Sequence, residues 1–286
     1  MLVSSINRRR FVTLMAGAPA LLTATQKPYP GMTLNRNNPL AQDLASAFLF
    51  NNSLVDVCGS SYVGYSAVPI QAAGPDGYAV QPISAGDPGY LNPRGIFYSV
   101  PSDKKPSIYS APITIMARVM TSDLGGSLNE QRIINYGNLN NKVMGFGFAA
   151  NGFSSNGQCL FFSPLGDHVG SCQSTVFTDF AANVWTTVGV SQSAASARKF
   201  FKDGVFESNS FNTSIGASSI DPSATVYVGG GNWNGGDGGC WWVGLISYVM
   251  VWLRALTNDE MTSVMNNPFQ MFGGGPGLLK VNASVG

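Results

Sequence analysis

The chain has 286 residues and a formal net charge of +1, with 44% hydrophobic and only 11% charged residues. Soluble domains usually carry about a quarter charged residues, so the polar surface here must come from uncharged side chains, as in many extracellular or virion β-proteins. Nucleic-acid binding needs clustered Lys and Arg, and the one basic run is Arg8, Arg9 and Arg10, so we expect no nucleic-acid partner.

The first predicted unit is an N-terminal segment, residues 1–34, in which this basic run precedes an apolar stretch from Leu14 to Ala24. An apolar stretch of about a dozen residues is too short to span a bilayer, so no membrane span is expected. Two interpretations are open. The segment is either a twin-arginine export signal or a basic arm whose Arg8, Arg9 and Arg10 dock on a partner protein.

Residues 35–272 are predicted to form one domain of short strands separated by turns. The predicted strands are Ala45–Phe50, Ile113–Met120, Arg132–Tyr136, Val143–Ala149, Cys159–Phe162, Trp185–Val190, Ala197–Lys202 and Thr225–Gly229. Asp203-Gly204 supplies the positive φ values of a tight hairpin. Between Gln71 and Pro106 we expect long loops with a few edge strands. Many short strands at this spacing predict an all-β sandwich or barrel.

One helix is predicted near the C-terminal end, from about Asn258 to Asn266. Thr257 and Glu260 have capping-box spacing, in which the hydroxyl and the carboxylate each accept from a free backbone N–H group. The predicted packing face of the helix consists of Met261, Val264 and Met265. Residues 273–286 begin with Gly-Gly-Gly-Pro-Gly and are predicted to form an extended tail.

The four cysteines, Cys58, Cys159, Cys172 and Cys240, contain no CxxC pair, so a zinc site is not expected. Cys159 and Cys172 flank a predicted hairpin and could face each other across it. Free buried thiols and disulfides both remain open, because the compartment is unknown.

The segment Thr225–Phe272 has the most specific pattern in the chain. A strand that ends in Gly-Gly leads through a loop to a Gly-x-Ile-x-x-Val-x-Val-aromatic strand, then to Arg-Ala-Leu and a Glu-containing helix. The matching residues are Gly244, Ile246, Val249, Val251, Trp252, Arg254, Ala255, Leu256 and Glu260. This order resembles the closing segment of laminin-G-like, concanavalin A-like domains. The resemblance implies an antiparallel jelly-roll β-sandwich with one short C-terminal helix.

Two short motifs resemble bacteriophage and prophage proteins of this type. They are Asn38–Ala41 near the start of the domain and Pro268–Phe272 after the helix. Those proteins are thought to be virion components, such as decoration, fibre or adhesin-like domains. The resemblance therefore implies a virion location, with other virion proteins or sister subunits as partners. An exported, periplasmic or extracellular bacterial protein is the alternative.

The resemblance also raises calcium as a cofactor; no other cofactor is expected. Asp56 lies where the family carries an early Asp, and calcium requires such hard oxygen ligands. However, Ser247 stands where the later strand of the family often carries an Asp. Asp56 is therefore either a metal ligand or a side chain that caps its own turn through Gly59.

Catalytic groups are not recognisable in the sequence. Glycosidases of this fold place two carboxylates two residues apart on one strand, whereas the three Glu lie at positions 130, 207 and 260. The one histidine, His168, lies beside Asp167 in a Gly-rich turn, and no G-x-S-x-G motif is present. We therefore predict that the protein is not an enzyme.

The candidate ligand-binding residues lie in the glycine-rich loop 229–239. They are Asn232, Trp233, Asn234 and Asp237. An indole ring can stack on a sugar while flanking amides bind its hydroxyls; alternatively, Trp233 folds onto the edge of the sandwich. The predicted function is a virion structural, decoration or adhesin-like protein that docks on other virion proteins and binds surface glycans. The alternative is an exported bacterial carbohydrate-binding module.

Overall fold

Short strands make up most of the described structure. The computed structural model describes residues 27–28, 33–65, 70–82, 95–106, 111–122, 130–137, 144–149, 159–163, 172–173, 180–194, 197–210, 225–230 and 242–273. In chain order the strands are β1 (Thr33–Leu34), β2 (Leu44–Phe48), β3 (Ser61–Tyr65), β4 (Ile70–Gly74), β5 (Gly77–Gln81), β6 (Ile96–Ser99), β7 (Ile113–Thr121), β8 (Glu130–Tyr136), β9 (Met144–Ala149), β10 (Cys159–Ser163), β11 (Cys172–Gln173), β12 (Thr186–Ala194), β13 (Ala197–Lys202), β14 (Val205–Ser210), β15 (Val226–Val228), β16 (Gly244–Trp252) and β17 (Phe272–Gly273). One helix, α1 (Asn258–Asn266), and two short 3₁₀ turns, Pro39–Ala41 and Ser102–Lys104, complete the described elements.

Two antiparallel sheets form the sandwich. The seven-stranded sheet has the order β11-β10-β9-β8-β15-β6-β3. The eight-stranded sheet has the order β14-β13-β12-β7-β16-β5-β4, and β2 also pairs with β16. The predicted antiparallel β-sandwich with one C-terminal helix is confirmed.

The main core lies between the sheets, because alternate side chains of each strand point to the same face. On β7, for example, Ile115, Ala117 and Val119 face this interior, and Ile134 and Tyr136 of β8 reach it from the other sheet. All five side chains are buried. The alternation of apolar residues in the sequence therefore indicates which face of each strand is buried between the sheets.

A second apolar cluster covers the outer face of the eight-stranded sheet, which we call the helix-covered face. Its members on the sheet include Met116, Phe201, Tyr248, Met250 and Trp252, and those on α1 are Met261, Val264 and Met265. Gly189 of β12 lies directly beneath the helix. A Cβ atom there would lie 2.6 Å from the Cε atoms of both Met261 and Met265. The glycine therefore allows the helix to approach the sheet closely.

The predicted helix and its capping box are both present. The Thr257 hydroxyl accepts a hydrogen bond from the Glu260 amide at 3.2 Å, and the Glu260 carboxylate accepts one from the Thr257 amide at 2.9 Å. The Glu260 carboxylate also pairs with the Arg254 guanidinium at 2.9 Å. The hydrogen bond from Arg254 is the main reason that the pKa of Glu260 is lowered. In the described part of the chain, no helix has the length and apolar character needed to cross a membrane.

The segment from Gln71 to Pro106 contains more regular structure than loops with edge strands. β5 lies between β16 and β4, and β6 lies between β15 and β3, so neither is an edge strand. Ile96 and Tyr98 of β6 are fully buried. Because β6 has four residues, only two of its side chains face inward. So short an alternation of apolar and polar residues is hard to recognise in a segment rich in glycine and proline.

The ends of the sandwich meet in a small ladder. Thr33 pairs with Gly273, and Leu34 pairs with Phe272, in the antiparallel sheet β1–β17. The Asn35 amide extends this contact by donating to the carbonyl of Met271 at 2.8 Å. The predicted boundaries at residues 34 and 272 thus fall within one paired structure, and the division into arm, domain and tail stays a prediction.

Candidate functional site

Most of the predicted binding residues lie outside the described part of the structure. These are Arg8, Arg9 and Arg10 of the N-terminal segment and Asn232, Trp233, Asn234 and Asp237 of the glycine-rich loop. Their roles in docking and ligand binding stay predictions. His168 also lies outside the described residues.

Asp56 is buried, and its carboxylate accepts hydrogen bonds from its own turn and from β2. Oδ1 accepts hydrogen bonds from the amides of Ala47 at 2.7 Å and Cys58 at 2.9 Å, and Oδ2 accepts one from the Ser60 amide at 3.1 Å. Across the described ranges, no group of three His, Cys, Asp or Glu side chains could hold a metal ion. These contacts favour the turn-capping interpretation, and calcium binding at Asp56 stays a prediction.

Cys58 follows in the same turn as a buried free thiol. Burial, reinforced by the nearby Asp56 carboxylate, raises the pKa of this thiol to about 12. A thiol with such a pKa is protonated at neutral pH and is a poor nucleophile. The side chains of the other three cysteines lie outside the described structure, so their disulfide state stays open.

A buried charged cluster lies at the start of β16. The Ser247 hydroxyl is 3.0 Å from Oδ2 of Asp76, and Nε of Arg118 is 3.4 Å from the same oxygen. Nζ of Lys27 donates to the carbonyl oxygens of Ser247, at 2.5 Å, and of Tyr78. Burial is the main cause that lowers the pKa of Lys27 to about 7, and it also raises the pKa of Asp76.

This cluster tethers the segment around Lys27 to the eight-stranded sheet. The Lys27 amide donates to the carbonyl of Asp76 at 3.0 Å, and the Asn51 amide group donates to the carbonyl of Pro28 at 2.8 Å. Ser247, which stands where the family often carries an Asp, therefore bonds to a carboxylate supplied by another turn. Sequence reasoning missed the cluster because its members are far apart along the chain.

The outer face of the seven-stranded sheet carries a different set of side chains, which we call the polar face. Phe97, Tyr227, Asn135 and Gly145 are direct partners across β6, β15, β8 and β9. Their sequence neighbours face the interior, so these four positions face outward. The rings of Phe97 and Tyr227 meet edge to face, with centroids 5.2 Å apart.

Arg132 joins this row from the next outward position of β8. Its Nη1 donates to Oδ1 of Asn135 at 2.8 Å, and both side chains are at most 3% exposed. A Cβ atom on Gly145 would lie only 3.1 Å from that Oδ1 and 3.5 Å from Cδ of Arg132. The absence of a side chain on Gly145 therefore lets Arg132 and Asn135 lie across β9.

Nδ2 of Asn135 is buried and has no hydrogen-bond partner. An unpaired buried donor costs about 1–3 kcal/mol, and each such group in a folded protein calls for an explanation, such as a bound water or ligand. The sequence contained part of this signal. Arg132 and Asn135 interrupt a strand of Ile and Tyr, and the next strand reads Gly-Phe-Gly-Phe.

Comparisons with known proteins agree with the observed architecture. The Laminin_G_3 family model, described as the concanavalin A-like lectin/glucanases superfamily, matches residues 98–262. No curated protein sequence matches the chain.

Several solved structures have a similar fold. Domain 4 of AbnA, an extracellular arabinanase from Geobacillus stearothermophilus in complex with arabinotriose, aligns with a TM-score of 0.55 and 18% identity over 78% of this chain and 98% of that chain. The binding domain of Paraclostridial Mosquitocidal Protein 1 aligns with a TM-score of 0.56 and 15% identity over 81% and 53% of the two chains. The botulinum neurotoxin serotype C1 binding domain aligns with a TM-score of 0.53 and 14% identity over 78% of this chain and 51% of that chain. This chain thus matches about half the length of each toxin domain, and at these identities the likeness concerns the fold alone.

Proposed function

We propose, from the premise that this chain belongs to the Laminin_G_3 family of the concanavalin A-like lectin/glucanase superfamily, that it is a non-enzymatic glycan-binding module of a virion. The family match carries the proposal. Further support comes from the arabinanase domain, whose structure holds arabinotriose on a similar fold.

The absence of catalysis is part of the proposal, and three of the described carboxylates support it. Glu260 is bonded to Arg254 and Thr257, Asp56 caps its turn, and Asp76 pairs with Arg118. Each therefore has a structural role, and none is two residues from a second carboxylate on a strand, as glycosidase chemistry on this fold would need.

Glycan binding is tested on a glycan array. Wild-type protein is expected to bind a subset of glycans, and Trp233→Ala is expected to lose that binding if the loop supplies the stacking surface. Phe206→Ala is the matched control, since Phe206 is a partly exposed aromatic residue on β14. No binding of the wild type to any glycan would overturn the proposal. Full binding by Trp233→Ala would place the site elsewhere.

The virion role is a separate part of the proposal. The ladder β1–β17 supports it, because it holds Thr33, which follows the N-terminal segment, beside Gly273, which precedes residues 274–286. Copurification with assembled particles at a fixed stoichiometry is expected, and Arg8, Arg9 and Arg10 replaced together by Ser should reduce it. Recovery only as a free secreted protein would instead favour the exported carbohydrate-binding module.

Calcium binding at Asp56 is tested by thermal unfolding with calcium chloride and with a chelator. We expect equal melting temperatures, since the Asp56 oxygens already accept three backbone hydrogen bonds. A higher melting temperature with calcium, lost in Asp56→Asn, would establish the metal site.

A further inference from the structure

The contacts of Lys27 tie the N-terminal segment to the side of the eight-stranded sheet. Lys27 is only 3% exposed, and its Nζ donates to the carbonyl oxygens of Tyr78 on β5 and of Ser247 on β16. Its backbone amide donates to the carbonyl of Asp76 at 3.0 Å. One buried side chain and one backbone bond therefore hold the chain at this point, and residues 1–26 precede it.

The amino group of Lys27 is bonded to neutral acceptors. Both are backbone carbonyl oxygens, whereas the Asp76 carboxylate accepts from the Ser247 hydroxyl at 3.0 Å and lies 3.4 Å from Nε of Arg118. A neutral amine has two N–H donors, which match the two carbonyls, and an ammonium group has three donors and a full charge. Burial of that charge beside a carboxylate already shared with a guanidinium is costly. The position therefore suits the neutral amine better than the ammonium form.

The charged and titratable groups around Lys27 come from three elements. Asp76 lies in the turn between β4 and β5, Arg118 lies on β7, and Tyr248 follows Ser247 on β16. Burial and Arg118 lower the pKa of Lys27 to about 7, and Asp76 opposes them. Burial raises the pKa of Tyr248, so that this phenol stays neutral. A released Lys27 regains the ordinary pKa of 10.5, and release therefore takes up a proton between these two pH values.

We propose that Lys27 is a proton-controlled latch that holds the N-terminal segment against the eight-stranded sheet and releases it more readily as the pH falls. The held form carries a neutral amine and the released form an ammonium group, so each drop of one pH unit favours release by nearly tenfold. Release frees residues 27–32 as far as Thr33 of β1, which extends the reach of residues 1–26 by up to about 20 Å. This inference does not depend on the proposed glycan binding.

Hydrogen exchange of the Lys27 amide in the full chain tests the latch. This amide is bonded to Asp76, and its protection relative to an unstructured peptide reports how often the segment opens. In the wild type, protection is expected to rise about 70-fold from pH 7.5 to pH 9.5. Lys27→Met keeps the length of the side chain and the backbone bond but cannot titrate, so the protection of residue 27 should not change with pH. Lys199→Met, the same replacement at an exposed position, should keep the wild-type dependence.

A second variant separates the holding contacts from the response to pH. The Asn51 side chain donates to the carbonyl of Pro28 at 2.8 Å, next to the latch. Asn51→Ala is expected to lower the protection of the Lys27 amide at every pH and to leave its rise with pH unchanged.

Three outcomes would overturn the inference. Protection of the Lys27 amide that does not change with pH in the wild type would show that no proton is taken up on release. An equal rise in Lys27→Met would assign the proton to another group. Protection as high as that of the amides in β16 at every pH would show that the segment opens only when the whole domain unfolds.

Discussion

The outer faces of the two sheets differ sharply, although the same alternation of side chains produces both. The helix-covered face presents Tyr248, Met250 and Trp252, and α1 closes over it with its methionines. The polar face presents Asn135 and Arg132 beside an aromatic pair. Full burial of a large apolar side chain contributes about 1.5–3 kcal/mol, whereas a buried unpaired amide costs free energy. The first face therefore stabilises the fold, whereas the second carries a buried polar group that the fold leaves without a partner.

Truncation of one aromatic side chain on each face tests this difference most directly. Trp252 is fully buried, and its Nε1 donates to the carbonyl of Leu40 at 2.7 Å. Trp252→Ala is expected to lower the free energy of unfolding by about 3–5 kcal/mol. Phe97→Ala, on the partly exposed ring of the polar face, is expected to cost about 1–2 kcal/mol. Urea denaturation measures both, and equal losses would contradict the contrast.

The buried charged cluster that contains Lys27 lies beside the apolar helix-covered face, and the pH dependence of stability tests its cost. The pKa of Lys27 is about 7 in the folded protein and 10.5 in the unfolded chain, so the unfolded chain binds an extra proton between these pH values. The cost of burying the ammonium is fully present below pH 7 and is relieved as the pH rises. Stability relative to Lys27→Met should therefore increase by about 2–3 kcal/mol from pH 7 to pH 9.5.

Urea denaturation at several pH values measures this dependence. Lys199→Met is the control, because Lys199 is exposed and its ammonium group donates to Oδ1 of Asn258 at 2.9 Å. A stability difference between wild type and Lys27→Met that does not change with pH would show that Lys27 keeps its proton throughout.

Two glycines, one on each sheet, test how tightly the two outer faces are packed. Gly189→Ala adds a methyl group 2.6 Å from the ends of Met261 and Met265 and should cost about 1–3 kcal/mol, since the methionines must move. Gly64→Ala, on β3 of the other sheet, adds a methyl group 3.9 Å from Cδ2 of Phe97 and should be close to neutral. Thermal unfolding distinguishes them, and an unperturbed Gly189→Ala would mean that the helix is loosely packed.

The features that were predicted correctly are those whose sequence signals involve residues close together in the chain. The helix was predicted with its observed bounds, because Thr257 and Glu260 lie three residues apart and the packing face repeats within the helix. The sandwich followed from alternation within single strands. β5 and β6 were missed as inner strands, because their position depends on pairing with residues far along the chain.

The candidate sites depend even more on distant pairing. Arg132 and Asn135 were predicted to lie on a strand, but their meeting with Tyr227 and Phe97 requires the order of β8, β15 and β6. The charged cluster likewise joins Lys27 to a residue of β16. No pattern of spacing within the sequence contains either arrangement.

The ladder β1–β17 has a mechanical consequence for any protein held by its two ends. On the N-terminal side a pulling force first loads Lys27, which is bonded to Asp76, Tyr78 and Ser247, and it reaches the outermost ladder pair, Thr33 and Gly273, only after those bonds break. The hydrogen bonds then break one after another, as in unzipping, and resist less than bonds sheared together. The Asn35 amide, bonded to the carbonyl of Met271 at 2.8 Å, and the Asn38 side chain, which donates to the carbonyl of Gln270 at 3.0 Å, come under load after the pair Leu34–Phe272. Under tension the domain would therefore release Lys27 from the eight-stranded sheet before the ladder at its ends opens.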